Sequence, residues 1–214
     1  MTTLLTAEFI RGATSQTAWD FGNKILYDMC SANPDHKQDQ IIIGKIWLIG
    51  RTYAAAIERR RTTEGALGDA FYETVVAARI RESEIDSWFE AIRKSEANDL
   101  ALHLEIHFRV MKLFTTISGL EKRSLASKYL HFHFPRDFYI YDSRAQKVIS
   151  ELTGSVGKRI PTLREHDDVY TRFFLRCQGL HQLLDAQLGR SLSMREFDKV
   201  LLAYSRLTVG TAPQ

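Results

Sequence analysis

The stretch 117–145 contains the side chains and turns of this chain that are best suited to chemistry. It holds a glycine turn at Gly119, two lysines, Lys122 and Lys128, and an aspartate, Asp142. A glycine turn between two helices can point backbone N–H groups outward at a helix N-terminus. Such groups bind phosphate through hydrogen bonds and through the helix dipole. The pattern therefore predicts contact with the phosphate backbone of a nucleic acid.

This stretch resembles the helix-hairpin-helix DNA glycosylase superfamily. It is most similar to a divergent bacterial group with an 8-oxoguanine DNA glycosylase-like fold, found around antiphage defence genes. In that superfamily a hairpin of the form Leu-Pro-Gly-Val/Ile-Gly precedes a catalytic lysine in bifunctional members, and an aspartate follows at the start of a later helix. Here Ile117, Ser118, Gly119 and Leu120 stand at the hairpin, and Asp142 lies 23 residues after the glycine.

The resemblance implies base flipping followed by cleavage of the N-glycosidic bond. Asp142 would stabilise the positive charge that grows on the sugar and would activate the attacking water or amine. The local sequence also predicts that Asp142 is a helix N-cap, because Asp-Ser-Arg-Ala is an ordinary capping sequence. The two roles are compatible.

The hairpin departs from the superfamily pattern at two positions. Glu121 replaces the second glycine, and its negative charge is unfavourable beside a phosphate. Arg123 occupies the position of the lysine, and its guanidinium stays protonated, so it cannot act as an amine nucleophile. Lys122 is adjacent and Lys128 lies about one and a half helical turns further on, so both are candidate amines. Without either amine, the resemblance implies a monofunctional glycosylase that uses Asp142, or a binder without catalysis.

Positive charge is concentrated in two windows, 37–61 and 111–147. Each window carries a net charge of +4, whereas the whole chain carries +3, so the remainder is acidic. If the windows share a face, that face attracts phosphate. The predicted nucleic-acid-binding residues are Gly119, Leu120, Arg123, Arg144, Arg59 and Arg60. For the two arginines at 59 and 60, a solvated helix C-terminus is the alternative.

Four further residues are candidates for a ligand pocket. His131 and His133 lie at an apolar helix end, where they either pack in the core or line a base or ligand pocket. Tyr141 could stack on a flipped base or belong to the core. Arg51 lies inside an apolar helix, where a cation requires a carboxylate or a phosphate as its partner.

Metal, cofactor and nucleotide-loop patterns are not matched. His103 and His107 are one helical turn apart, but the glutamate between them is at the wrong position for the zinc-protease pattern, and no cysteine is near. We expect neither a metal nor a cofactor. The segment 153–161 lacks the spacing of a phosphate loop and is predicted to be a flexible basic loop.

The apolar periodicity predicts an all-α fold. With four prolines and twelve glycines in 214 residues, apolar side chains recur at three- and four-residue spacing along most of the chain. We expect a single helical domain that includes a hairpin-containing lobe at about 99–160, and a division into two closely packed lobes stays open. The helices are predicted near 18–31, 37–61, 66–81, 84–95, 99–117, 121–132, 143–151, 166–188 and 194–207. Ser193 is predicted to cap the last of them, with Glu196 three residues on completing a capping box.

Composition restricts the class of protein and its location. Apolar residues make up 44% of the chain, which is typical of a folded domain. Cys30 and Cys177 are far apart and lie among apolar residues, which argues against disulfides and thiolate zinc sites and favours the cytoplasm. No apolar run is long enough to span a membrane, so we expect no membrane partner.

Together these patterns predict a DNA-glycosylase-like protein that recognises nucleic acid or a modified nucleobase in a bacterial defence or repair setting. DNA is favoured over RNA as the partner. The alternative is a non-catalytic helical adaptor that binds a protein encoded in a defence operon, or a nucleotide-derived ligand. The replacements at Glu121 and Arg123 favour this alternative.

Overall fold

A computed structural model describes residues 4–96, 99–154 and 163–210. All regular elements in these ranges are helical, which confirms the all-α prediction. The helices are α1 (Ala7–Thr14), α2 (Ala18–Ala32), α3 (Asp39–Thr52), α4 (Gly68–Phe71), α5 (Ala77–Arg81), α6 (Ile85–Lys94), α7 (Leu100–Ser118), α8 (Arg123–His133), α9 (Ser143–Thr153), α10 (Asp168–Leu188) and α11 (Met194–Gly210). A π-helical turn, Tyr72–Val76, joins α4 to α5. Within the described ranges, no helix is both long and apolar enough to cross a membrane.

Two predicted helix N-termini are confirmed by their hydrogen bonds. Asp142 caps α9, where its Oδ1 accepts hydrogen bonds of 2.9 Å from the backbone N–H groups of Arg144 and Ala145. Before α11, the backbone N–H of Glu196 donates to Ser193 Oγ (3.1 Å), and the N–H of Ser193 donates to Glu196 Oε2 (2.8 Å). Both caps form because a short polar side chain precedes an apolar repeat.

The prediction of one helix from 37 to 61 is wrong. The helix α3 ends at Thr52, and Ala54 adopts the left-handed conformation with φ of 51°. The chain then folds back on α3, where Ala55 N–H donates to Gly50 O (2.7 Å). A Cβ at Gly50 would lie 3.0 Å from Ala56 Cα, so glycine permits this close approach. Arg59 and Arg60 are therefore in an exposed turn and not at a helix C-terminus.

The buried apolar side chains form two clusters. The first core is built from α2 to α8 and includes Phe114 and Phe132. The second core is built from α1, α9, α10 and α11 and includes Tyr170 and Phe197. The helix α7 serves both cores, because Leu104 packs in the second while the later turns of the same helix pack in the first. The predicted hairpin lobe at 99–160 thus contributes to both cores, and 155–160, with most of the predicted basic loop, lies outside the described residues.

The turn between α7 and α8 is fixed by Gly119. This residue ends α7 in the left-handed conformation with φ of 75°, and its N–H donates to Thr115 O (2.7 Å). The turn is tied to the segment after α3, since Thr62 N–H donates to Ser118 O (2.9 Å). A Cβ at Gly119 would lie 2.0 Å from Thr62 Oγ1, so two separate constraints require glycine here.

We expect Gly119→Ala to lower the free energy of unfolding by about 2–4 kcal/mol, from left-handed strain and from the steric clash with Thr62. Gly189→Ala is the matched control, because Gly189 has a φ of 66° but no atom within 4 Å of the added Cβ. This control should lose only about 1 kcal/mol. Urea unfolding of both variants measures the difference. Equal losses would show that the contact with Thr62 does not constrain the turn.

Candidate functional site

A groove lies between the α7–α8 turn and the segment that follows α3. Its volume is about 370 Å³. We call it the hairpin groove, and its lining residues are Ala54, Ala55, Ala56, Arg59, Arg60, Leu120, Glu121, Lys122, Ser124 and Leu125. Three cations and one carboxylate line it, so its charge is net positive. The structure thus brings the predicted residues Leu120, Arg59 and Arg60 together with the candidate amine Lys122, and Gly119 shapes the turn beside them.

Lys122 connects the two walls of the hairpin groove. Its ammonium donates to the backbone carbonyl of Arg59 (2.6 Å). Burial lowers the pKa of Lys122, while the charge of Glu58 opposes this shift and the charge of Arg59 adds to it. Lys122 is the N-cap residue of α8, but its side chain accepts no hydrogen bond from the first backbone N–H groups of that helix. These groups carry the positive end of the helix dipole.

The Arg123 guanidinium is held in ion pairs within the chain, so it is not free to bind a phosphate. Its Nε donates to Asp167 Oδ2 and its Nη2 donates to Asp167 Oδ1 (2.9 Å), and Nη2 also reaches Glu121 Oε2 (3.1 Å). The guanidinium lies 5.8 Å from the centre of the Tyr141 ring. Glu121 is exposed, so its charge is balanced by Arg123 at the edge of the hairpin groove. The pair ties the start of α8 to the start of α10.

We expect Arg123 and Asp167 to be strongly coupled in stability. Because the Asp167 side chain is 5% exposed, Arg123→Leu leaves a nearly buried carboxylate without its partner, at a cost of about 3 kcal/mol. In a double-mutant cycle with Asp167→Asn, the coupling should exceed about 1 kcal/mol. The same cycle on the exposed pair Lys24 and Asp28 is the control and should give about 0.5 kcal/mol or less. Additive effects at Arg123 and Asp167 would contradict this account.

Lys128 lies behind the hairpin groove as a buried amine. It is 2% exposed, and its ammonium donates to Ser124 Oγ (2.8 Å) and to the backbone carbonyl of Tyr53 (3.3 Å). The ammonium is also 5.8 Å from the centre of the Tyr53 ring. Burial lowers the pKa of Lys128. Ser124 lines the groove and also accepts the hydrogen bond from Lys128, so the same residue contacts the groove and the buried amine.

Where the two cores meet, two carboxylates act electrostatically on Lys128, and one of them is paired with an arginine. Asp142 and Asp198 both act on Lys128 electrostatically, and each opposes the lowering of its pKa. Arg195 Nη1 lies 2.5 Å from Asp198 Oδ2. Burial, together with the charge of Asp142, raises the pKa of Asp198 to about 6, whereas Arg195 and Lys128 oppose the shift. We call Lys128, Asp142, Arg195 and Asp198 the junction cluster.

The junction cluster predicts a specific response of the Lys128 pKa. Asp142→Asn and Asp198→Asn should each lower it further, because each removes a negative charge that favours the ammonium. NMR titration of ¹³Cε-labelled lysine measures this pKa directly. Asp28→Asn, which changes an exposed carboxylate, should leave it unchanged. A Lys128 pKa that stays constant or rises in both junction variants would contradict the arrangement.

Of the two predicted pocket histidines, His131 is buried and His133 is partly exposed. His131 Nδ1 donates to Phe138 O (2.8 Å), and its Nε2 accepts from the Tyr27 hydroxyl (2.6 Å). Burial lowers the pKa of His131 to about 4, so the ring is neutral and both nitrogens are engaged. His133 donates from Nδ1 to Tyr129 O (2.8 Å), and its Nε2 has no hydrogen-bond partner among the described residues. Both rings therefore belong to the first core.

The other predicted binding residues lie at the surface or at the edge of the second core. Tyr141 is half-buried and packs edge-on against Phe173, with ring centres 5.0 Å apart. Arg51 is exposed and pairs with Glu58 (2.5 Å), which matches the carboxylate alternative for this cation. Arg144 is exposed in the first turn of α9, beside Asp142.

The sequence did not indicate three members of this site. Ser124 precedes Lys128 by one helical turn, and Arg195 and Asp198 form an i, i+3 pair that has the sequence pattern of a surface ion pair. The position of Arg195 and Asp198 within the apolar repeat of α11 was the sequence feature that could have indicated a buried ion pair. In the described part of the chain, no group of three or more His, Cys, Asp or Glu residues is placed to hold a metal.

No protein-family model, curated protein or solved structure matches this chain significantly.

Proposed function

We propose that this protein is a DNA-glycosylase-like protein that holds the phosphate backbone of DNA in the hairpin groove and acts on a base whose sugar reaches the junction cluster. The observation that carries the proposal is the position of Ser124. This residue lines the cationic groove, and its Oγ accepts a hydrogen bond from the buried Lys128 amine. The same residue therefore contacts both the proposed backbone-binding groove and the candidate amine.

The hairpin groove fits a phosphate backbone for two reasons. Lys122, Arg59 and Arg60 supply positive charge from both walls. The N-terminus of α8, an eleven-residue helix, contributes N–H groups that its N-cap side chain does not occupy. Side-chain cations and helix N-termini are the two common sources of phosphate contacts in DNA-binding proteins. The Glu121 carboxylate opposes binding but is paired with Arg123.

In the proposed reaction, Asp142 acts on the sugar of the flipped nucleotide. Its Oδ1 is fixed by two backbone N–H groups of α9, which orients the carboxylate. As the bond between the sugar carbon and the base breaks, the negative carboxylate stabilises the positive charge on the sugar. Water attacks the same carbon, Asp142 accepts a proton from that water, and the departing base takes up a proton from solvent.

Lys128 is the better candidate of the two amines, because Asp142 acts on it electrostatically. A lowered pKa is what a lysine nucleophile requires. The ammonium is enclosed by Ser124 and Tyr53, so this role requires that the substrate displace those contacts. Lys122 is placed to hold the backbone rather than the sugar, since it is bonded across the groove to Arg59.

We expect salt-sensitive binding of labelled duplex DNA that depends on the groove cations. Arg59→Ala, Arg60→Ala and Lys122→Ala should each weaken binding at low salt by about 3- to 10-fold and reduce the slope of log affinity against log salt by about 1. Arg172→Ala, an exposed cation on α10, is the matched control and should bind like the native protein. Fluorescence anisotropy gives both quantities. Equal behaviour of groove and control variants would reject the groove as the binding surface.

The catalytic part of the proposal is tested on oligonucleotides that carry a panel of damaged and modified bases. We expect alkali-labile sites from the native protein and at least about a 100-fold loss of rate in Asp142→Asn, because this variant keeps a capping side chain but loses the charge. Strand breaks without alkali that vanish in Lys128→Ala and persist in Lys122→Ala would identify the amine. If the native protein binds DNA but cuts no member of the panel, it is a binder without this activity.

A non-catalytic adaptor is the second candidate, and one observation favours it. The first half of α2 exposes Trp19, Phe21 and Ile25, with 79%, 73% and 50% of their surfaces accessible. Exposed apolar groups of this size often mark a protein-binding surface. An adaptor would form a stable complex with a partner protein and would show no DNA affinity at low salt. A bacterial defence or repair setting is part of both candidates.

A further inference from the structure

A second cavity opens on the side of the second core, and none of the residues of the hairpin groove or the junction cluster lines it. It lies between the start of α7, the 135–137 turn, α10 and the α10–α11 connection, and its volume is about 510 Å³. This volume is in the range of small-molecule sites, about 300–1,000 Å³. Leu100, Phe174, Leu192 and Met194 supply apolar wall, so a ligand could bury carbon surface there.

Two polar groups of this cavity have unused hydrogen-bonding capacity. His103 is 3% exposed, and its ring makes no hydrogen bond within the described ranges, although it contacts the Phe138 ring (centres 5.4 Å apart). The Asp137 carboxylate is half-buried and likewise has no hydrogen-bond partner among the described residues. The two side chains interact electrostatically across the cavity wall. A ligand in the cavity could therefore form hydrogen bonds with both side chains without displacing a hydrogen bond within the described chain.

Some of the other polar groups that line the cavity form hydrogen bonds within the protein, and others do not. Asp185 accepts from Leu192 N–H (2.8 Å) and from Ser191 Oγ (3.2 Å), and His181 is bonded to the Tyr139 hydroxyl (2.9 Å). These contacts hold the walls together. The amides of Gln178 and Gln182 also line the cavity, and no hydrogen bond is found for them in the described part of the chain.

The charge of the cavity selects the class of ligand. Its walls carry the carboxylates of Asp137 and Asp185 against one guanidinium, that of Arg136, which is exposed. Burial lowers the pKa of His103, so the imidazole is neutral near pH 7 and adds no positive charge. Burial also raises the pKa of Asp137, and the positive charge of a bound cation would oppose this shift. Phosphate and carboxylate ligands are disfavoured here.

We propose that this cavity binds a small organic molecule with an amidine-type pair of N–H donors on a flat apolar body, with Asp137 accepting from the donors and His103 making the second polar contact. An amidinium presents two parallel N–H groups that match both oxygens of a carboxylate. The apolar walls accommodate the body of the ligand. This inference is independent of the proposed action on DNA, because it uses none of the same residues.

Benzamidine is a direct probe of this site. Titration into the native protein, followed by calorimetry and by the ring NMR signals of His103, should show one binding event that shifts those signals. Asp137→Asn should weaken binding about tenfold or more, since a charge-assisted bond is lost. His103→Leu should also weaken it, and removal of this ring breaks no hydrogen bond that the described chain makes. Glu73→Gln, an exposed carboxylate on the π-helical turn, is the control and should bind like the native protein.

Three results would overturn the proposal. The first is the absence of benzamidine binding to the native protein. The second is unchanged affinity in both Asp137→Asn and His103→Leu, after circular dichroism has shown that the variants are folded. The third is equal or tighter binding of benzoate, which has the same ring with the opposite charge. Tenfold weaker binding in either folded cavity variant, with benzoate bound weakly, would support it.

Discussion

The burial of the Lys128 ammonium at the junction of the two cores is the constraint on which the arrangement of this protein depends. An ammonium removed from water needs hydrogen bonds and nearby negative charge to remain there. Ser124 and the Tyr53 carbonyl provide the hydrogen bonds, and Asp142 and Asp198 provide the charge. These partners come from α8, the end of α3, the start of α9 and α11. Four distant parts of the chain are therefore held in register around one amine.

The turn at Gly119 is the second element of this arrangement, because it sets where α8 begins. Its left-handed backbone and its contact with Thr62 place the start of α8 against the segment that follows α3. These two parts of the chain, the start of α8 and the segment that follows α3, form the walls of the hairpin groove. Lys122, at the start of α8, and Arg59, on the opposite wall, are joined by a hydrogen bond of 2.6 Å. The hairpin groove and the buried Lys128 amine therefore both depend on where α8 begins.

Sequence reasoning succeeded where local chemistry decides the outcome. The Asp142 cap, the capping box at Ser193 and the glycine turn before α8 depend on neighbouring residues, and each is present. It failed where contacts between residues far apart in the sequence determine where a helix ends or whether it forms. The periodicity of α3 continues past Thr52, but the close approach of Ala56 to Gly50 ends the helix. The short helix α1 was missed because its few apolar residues show their role only when packed in the second core.

The candidate site was predictable in part for the same reason. Asp142 and the residues of the turn are close in sequence, so the pattern indicated them together. The partner of Arg123 lies 44 residues away at Asp167, and no local signal announces that ion pair. Lys128 was named as a candidate amine, yet its burial depends on α11, whose Asp198 lies 70 residues further along the chain. Such contacts require the tertiary structure.

We propose the start of α8 and the hairpin groove as the surface that DNA contacts. Amide NMR spectra of the native protein, recorded with increasing amounts of a short DNA duplex at low salt, test it most directly. We predict that the largest shifts occur at the amides of 120–124 and 54–60, followed by those around Asp142. Shifts confined to the exposed apolar part of α2, or no shifts at all, would contradict the account.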